Sequence, residues 1–164
     1  MTTSGGGEAE RQLGGGEAVL LGVDVGERRI GVAVGSVAGR SARPLTTIGR
    51  GRQPADDAKV LARMAAEQGA TGLVVGLPLN ADGSEGPQAA RTRDWAGVVA
   101  AESGLPVRFR NEHLSSVRAE DRIGGRSRGR SGGPPSAARR EAQRARVDRE
   151  AAALILQDEL DAIG

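Results

Sequence analysis

Three acids in this sequence have the type and placement to do chemistry. Asp24 interrupts the apolar run Val19-Leu20-Leu21-Gly22-Val23-Asp24-Val25 and is followed directly by Gly26. A charge in a strand that must be buried costs several kcal/mol to desolvate unless something compensates it. Glu112 falls at the carboxyl end of a later strand, and Asp148 at the start of the last helix. In open α/β sheets, ligands gather at the carboxyl ends of strands near the point where connections switch direction. Three carboxylates converging there repel one another unless a cation sits among them. One or two divalent metals in that place, about 3.5–4 Å apart if two, activate water and stabilise the leaving oxygen of a phosphodiester. Each acid also has a plainer reading. Asp148 can serve as an N-cap, Glu112 as a solvated strand-end acid, and Asp24 as the partner of Arg28 or Arg29 in a buried ion pair.

Composition narrows the metal. The chain has 164 residues, one ordinary domain, and contains no cysteine, so disulfides and thiolate sites are excluded. Any metal must be held by oxygen ligands or by the single histidine, His113, which points to Mg²⁺ or Mn²⁺ rather than structural zinc. The net charge is +2 but the pI is near 10.2, because the bases are arginines apart from Lys59. Arginine forks onto phosphates. Trp95 and Phe109 are the only aromatics, which argues against a base-stacking platform for single strands.

The elements that must position the acids follow from periodicity and turn residues. Residues 1–17 are glycine-rich with scattered charges and are expected to be a disordered leader, neither signal peptide nor anchor; nothing later reaches a membrane-spanning length. A cytoplasmic protein is the expectation. Val19 to Val25, Ile30 to Gly35 and Pro44 to Ile48 read as three strands with short connections, an antiparallel meander. Strand-helix alternation comes next. Pro54 to Gln68 reads as a helix with Val60, Leu61, Met64 and Ala65 inward, Asp56 and Asp57 serving the dipole and Gly69 the stop. Leu73 to Leu77 is a buried strand, Pro87 to Ser103 a helix with Trp95, Val98 and Val99 inward, and Pro106 to Asn111 a fifth strand. Ser115 or Ser116 caps a short helix to about Ile123, and Asp148 to Ile163 forms the last helix. The fold class is α/β: a mixed five-stranded sheet with helices on both faces, in a single domain over residues 18–164.

Two further segments bear on binding. Gly76-Leu77-Pro78-Leu79-Asn80 ends a strand beside the presumed site, where Asn80 either serves the turn or lines a substrate groove. Between Arg122 and Arg146 lie eight arginines opposed only by Glu141, and a flexible basic loop is expected at about residues 124–146. Contacts from Arg126, Arg128 and Arg130 to phosphates give affinity without sequence specificity and a steep salt dependence.

The run Leu21-Gly22-Val23-Asp24-Val25-Gly26-Glu27-Arg28-Arg29-Ile30-Gly31-Val32-Ala33-Val34 resembles the opening motif of the YqgF or RuvX-like family, pre-16S rRNA nucleases related to Holliday junction resolvases. Three segments agree in order: Val74 to Asn80 with Asp82-Gly83-Ser84-Glu85, Asn111 to Ser116 with Ala119-Glu120, and Val147 to Ala152 leading to Ile155-Leu156-Gln157. The resemblance implies an RNase H-like fold and metal-dependent nuclease chemistry, with Asp24, Glu112 and Asp148 as catalytic residues and ligands of Mg²⁺ or Mn²⁺. It implies nucleic acid as partner, pre-rRNA first and branched DNA as the alternative, ribosomal precursor particles as the setting, and a monomer or homodimer. Arg28, Arg29, Asn80, His113 and the three loop arginines are the candidate nucleic-acid contacts. One motif departs from the family pattern, because Asn111-Glu112-His113 stands where Asp-Glu-Arg is usual. That exchange removes one acid near the site and one permanent cation.

Other classes of function remain open at this level. The Asp-x-Gly hairpin is also similar to the phosphate-gripping turn of actin-like ATPases and sugar kinases, but those need two such domains and this chain has room for one. Asn111 adds a third reading, a non-catalytic RNA-binding assembly factor.

Overall fold

The structure, a computed structural model, describes residues 18–112 and 136–163. β-Branched apolar runs form β1 (Val19–Val25), β2 (Arg29–Ser36), β3 (Ser41–Gly49), β4 (Ala70–Pro78) and β5 (Val107–Glu112). The helices are α1 (Pro54–Gln68), α2 (Pro87–Ser103) and α3 (Ala137–Ile163). The strands lie in the order β3-β2-β1-β4-β5. β1 pairs antiparallel with β2, and β2 with β3, whereas β4 joins β1 in parallel and carries β5 in parallel on its other side. This is the expected α/β arrangement, a mixed five-stranded sheet in which a meander is followed by strand-helix alternation.

Alternation along the strands divides the core into two layers. Leu21, Val23, Ile30, Val32, Leu73 and Val75 face α1 and α2, where Ala58, Leu61, Trp95 and Val99 complete the cluster. Leu20, Ala33 and Val74 face the other way, against Ala152, Ile155, Leu156 and Leu160 of α3. β1 is covered on both faces, which is why its sequence is a nearly unbroken apolar run and why Asp24 stands out in it. Each fully buried Leu, Ile or Val in these layers contributes roughly 1.5–3 kcal/mol.

Three expectations change. The last helix begins at Ala137 rather than Asp148, capped by Ser136, whose hydroxyl accepts the Arg139 N–H at 3.2 Å. The apolar stripe starts only near Asp148, so periodicity does not register the preceding turns, which are alanine- and arginine-rich and largely exposed. Part of the anticipated flexible basic loop, residues 137–146, is therefore helical. Residues 1–17, the loop as far as 135 and the short helix expected after Ser115 lie outside the described residues. Val60 and Val98, assigned inward, are 37% and 40% exposed. Only the stripe Asp57, Ala58, Leu61 and Ala65 of α1, and Ala89, Thr92, Trp95, Ala96 and Val99 of α2, is buried.

Asp57 also departs from expectation. Rather than only meeting the helix dipole, it is 2% exposed and accepts hydrogen bonds from the Gly51 N–H (2.7 Å) and the Trp95 indole Nε1 (3.0 Å), with the Arg50 guanidinium 3.8 Å away. It ties α1 to α2. Among the described residues no helix is long and apolar enough to cross a membrane.

Candidate functional site

Asp24 sits near the carboxyl end of β1 on the face covered by α3. Its register partner in β2 is Gly31, and on the β4 side it lies one step beyond the pair Val23–Val75, level with Gly76. Both flanking positions are glycine, and both are needed. A Cβ on Gly31 would collide with the backbone of Asp148, and one on Gly76 would come within 3.0 Å of Glu112 Oε2 and overlap Ile155. With no side chain at either place, the α3 backbone drops onto β2 at Asp148, and the Glu112 carboxylate leans over β4 toward Asp24. Gly22 continues the same close seat, since a Cβ there would lie 2.6 Å from the Ala152 carbonyl oxygen and 2.7 Å from Leu156 Cβ. Polar ties hold α3 along this seat. The Thr47 hydroxyl donates to the Ala145 carbonyl (2.5 Å), and Gln157 accepts from the Ala42 N–H (3.0 Å) and donates to the Arg40 carbonyl (2.9 Å).

The electrostatics match this crowding. Burial first, then the charge of Glu112 and a hydrogen bond to it, and then the charge of Asp148, push the Asp24 carboxyl well above the usual carboxylate range. The hydrogen bond between Asp24 and Glu112 and the like charges around it all disfavour the charged form of Asp24. Asp148 takes another partner. Arg29 Nε donates to Asp148 Oδ2 at 2.8 Å, and its Nη1 donates to Glu141 Oε1 at 2.7 Å. The Asp148 hydrogen bond in turn holds the guanidinium proton more tightly. Among the described residues, no three acidic or histidine side chains stand close enough together to be a ready-made metal site. Asp148 is meanwhile engaged by Arg29. In chemistry the donor set suits a hard divalent cation: carboxylate oxygens only, with a charge excess around Asp24 that such a cation relieves.

The other sequence candidates separate clearly. Arg29 is at the site, but its ion pair is with Asp148 and Glu141 rather than Asp24. Arg28 is exposed in the turn between β1 and β2, which Gly26 closes by donating its N–H to the Arg29 carbonyl at 2.8 Å. Asn80 serves its turn: its N–H donates to the Ser84 carbonyl (2.8 Å) and its side-chain amide to the Ser84 hydroxyl (3.1 Å). Ser84 also holds Asp82 below the usual carboxylate range through its hydroxyl and N–H. His113, Arg126, Arg128 and Arg130 lie outside the described residues. Asn111 is exposed, and strand alternation sets it on the Phe109 face of β5, opposite Glu112. It therefore stands apart from the three acids. Sequence reasoning missed Glu141, which carries no local signal, and the spacing role of Gly31 and Gly76, which only the close approach of α3 and Glu112 makes visible.

Comparisons with known proteins identify the family. The model of a family described as "RuvX: Holliday junction resolvase" matches residues 18–162. A protein of Anaeromyxobacter sp. (strain K) named "Putative pre-16S rRNA nuclease" is 48% identical over 141 residues, covering 86% of this chain and 95% of its own. One of the same name from Chloroflexus aggregans (strain MD-66 / DSM 9485) is 43% identical over 146 residues, covering 89% and 95%. Among solved structures, T. thermophilus RuvC in complex with Holliday junction substrate aligns at 18% identity with a TM-score of 0.45, over 85% of this chain and 92% of that one. With the family model matched from the residue before β1 into the last turn of α3, this chain belongs to the RuvX family of nucleases.

Proposed function

We propose that this RuvX-family nuclease is a metal-dependent endonuclease acting on structured nucleic acid, and that its substrate is the 5′ end of precursor 16S rRNA in the cytoplasm. One observation supports the chemistry: the Asp24 carboxyl on β1 is hydrogen-bonded to Glu112 of β5 and lies within the field of Asp148 of α3, so acids from three elements bear on one carboxyl. The names of the relatives support the choice of RNA. Asp24, Glu112 and Asp148 would hold Mg²⁺ or Mn²⁺. Bound there, the ion supplies Lewis-acid activation of water and neutralises charge on the phosphodiester.

The chain's own residues do the rest. Asp24, whose carboxyl is pushed up by burial and by Glu112, would release its proton on holding the ion. Arg29, bonded to Asp148, orients that carboxylate and would offer its guanidinium to a phosphate oxygen. Arg28 and Asn80 flank the approach, and His113, Arg126, Arg128 and Arg130 extend the grip on the backbone.

The test is cleavage of a precursor 16S 5′-end RNA and of a four-way DNA junction, each with Mg²⁺, Mn²⁺ or EDTA, by the wild type and Asp24→Asn. Ion-dependent cleavage of the RNA, absent in the variant, is expected. Cleavage confined to the junction would move the substrate to DNA, and binding without cleavage of either would favour an assembly factor. Cleavage that survives Asp24→Asn would sink the three-acid mechanism.

A further inference from the structure

We propose that Arg108 and Arg110 form a phosphate-binding track along the outer edge of the sheet, seating the nucleic-acid backbone next to Glu112. The inference rests on the nuclease reading above and names a surface that the motifs did not. Alternation along β5 turns Val107 and Phe109 toward α1 and α2, and sets Arg108, Arg110 and Glu112 in a row on the α3 face. Two residues of strand advance about 6.6–6.8 Å, so the guanidiniums stand one and two such steps from the acid end of the site.

Both arginines are anchored by the same group. Arg108 Nε lies 3.1 Å from Glu159 Oε1 and Arg110 Nε 3.5 Å from Glu159 Oε2. Glu159 is 3% exposed, while the arginine side chains are 44% and 36% exposed. A buried carboxylate is a costly way to fill a helix position, since an apolar residue of similar volume is commonly neutral or better. What Glu159 secures is orientation. One carboxylate faces two guanidiniums, leaving a surplus positive charge, and both arginine side chains remain well exposed to solvent. Side chains anchored in advance lose less freedom when a phosphate arrives. Arg110 also borders, with Phe109 and Asn111, an open hollow of about 220 Å³. The track also has an electrostatic purpose: Glu112 and the neighbouring acids bring negative charge to this end of the sheet, and the arginines preceding Glu112 on the same face offset it.

Glu159 is then a positioning residue, and the arginines are the contacts. Removing the arginines alone strands a buried charge, so the informative variant is R108Q/R110Q/E159Q, which neutralises the whole cluster. Arg63→Gln, on exposed α1, removes the same net charge from the opposite face and is the control. Binding of a 5′-extended RNA hairpin and of a four-way DNA junction is read by fluorescence anisotropy in EDTA across salt. The triple variant should keep the wild-type melting temperature and its Mn²⁺-induced rise, bind on the order of tenfold more weakly, and show a log–log salt slope shallower by about 1–2. R108K/R110K should retain most of the affinity. A triple variant with the affinity and slope of Arg63→Gln overturns the track while leaving the nuclease reading intact. Wild type that binds neither probe overturns both.

Discussion

Two aspartates, Asp57 buried and Asp24 half-buried, are surrounded in opposite ways. Asp57 is surrounded by donors, the Gly51 N–H, the Trp95 indole and the Arg50 guanidinium, which satisfy its oxygens where it stands. Asp24 meets another acid, Glu112, with Asp148 nearby, and burial and these acids push its carboxyl well above the usual range. The more deeply buried of the two is the structural one. Burial of a carboxylate thus says little about function until its neighbours are named, and an acid whose hydrogen-bond partner is a second acid is the one waiting for a cation.

The comparison yields its largest effect in turnover. Asp24→Asn should lower ion-dependent cleavage by at least about 10³-fold, while Asp57→Asn leaves the rate per folded molecule within a few-fold. Equal losses would erase the distinction between the two aspartates. In stability the order reverses. Asp57→Ala strands the Trp95 and Gly51 donors and should cost about 3 kcal/mol, lowering Tm by roughly 6–12 °C in calorimetry. Asp24→Asn should not lower Tm in EDTA, because the amide donates to Glu112 as the protonated acid does; a drop as large as that of Asp57→Ala would make Asp24 structural too.

Ion binding sharpens the contrast further. Mn²⁺ at about 100 times its Kd should stabilise the wild type by about 2.7 kcal/mol and leave Asp24→Asn unmoved. Asp57→Ala should show the full wild-type increment from its lower starting point.

The smallest effect is the pH slope. Asp24 binds its proton more tightly folded than unfolded, so the folded state carries more protons as pH rises above the unfolded value, and stability must fall across that interval. Metal-free wild type should therefore lose Tm with rising pH, from the ordinary aspartate range up to the raised value. Asp24→Asn should flatten the profile and Asp57→Asn should not. A wild-type profile that climbs with pH would show that Asp24 is ionised in the fold and that its neighbourhood is not acidic.

Much of this was legible in the linear chain, and the exceptions share a cause. β1, α1 and α2 fall at Val19–Val25, Pro54–Gln68 and Pro87–Ser103, where apolar runs, proline starts and glycine stops set them locally. The three acids stood out by type and position. α3 was read short because its first turns have no buried stripe, and Val60 and Val98 were placed inward because helical spacing alone does not show how narrow the covered stripe is.

The sequence by itself determined the order of elements, the absence of thiolate ligands and the anomaly of Asp24, since each depends on composition or on neighbours a few residues away. Only the tertiary structure decided that Asp57 is a clamp, that Asn111 faces away from Glu112, and that Arg29 holds Asp148 across a separation of 119 residues. Those outcomes depend on how closely α3 settles onto Gly31 and Gly22, how Glu112 leans over Gly76, and which way β5 turns its alternate side chains. Each is a matter of packing between distant segments, which no local pattern encodes.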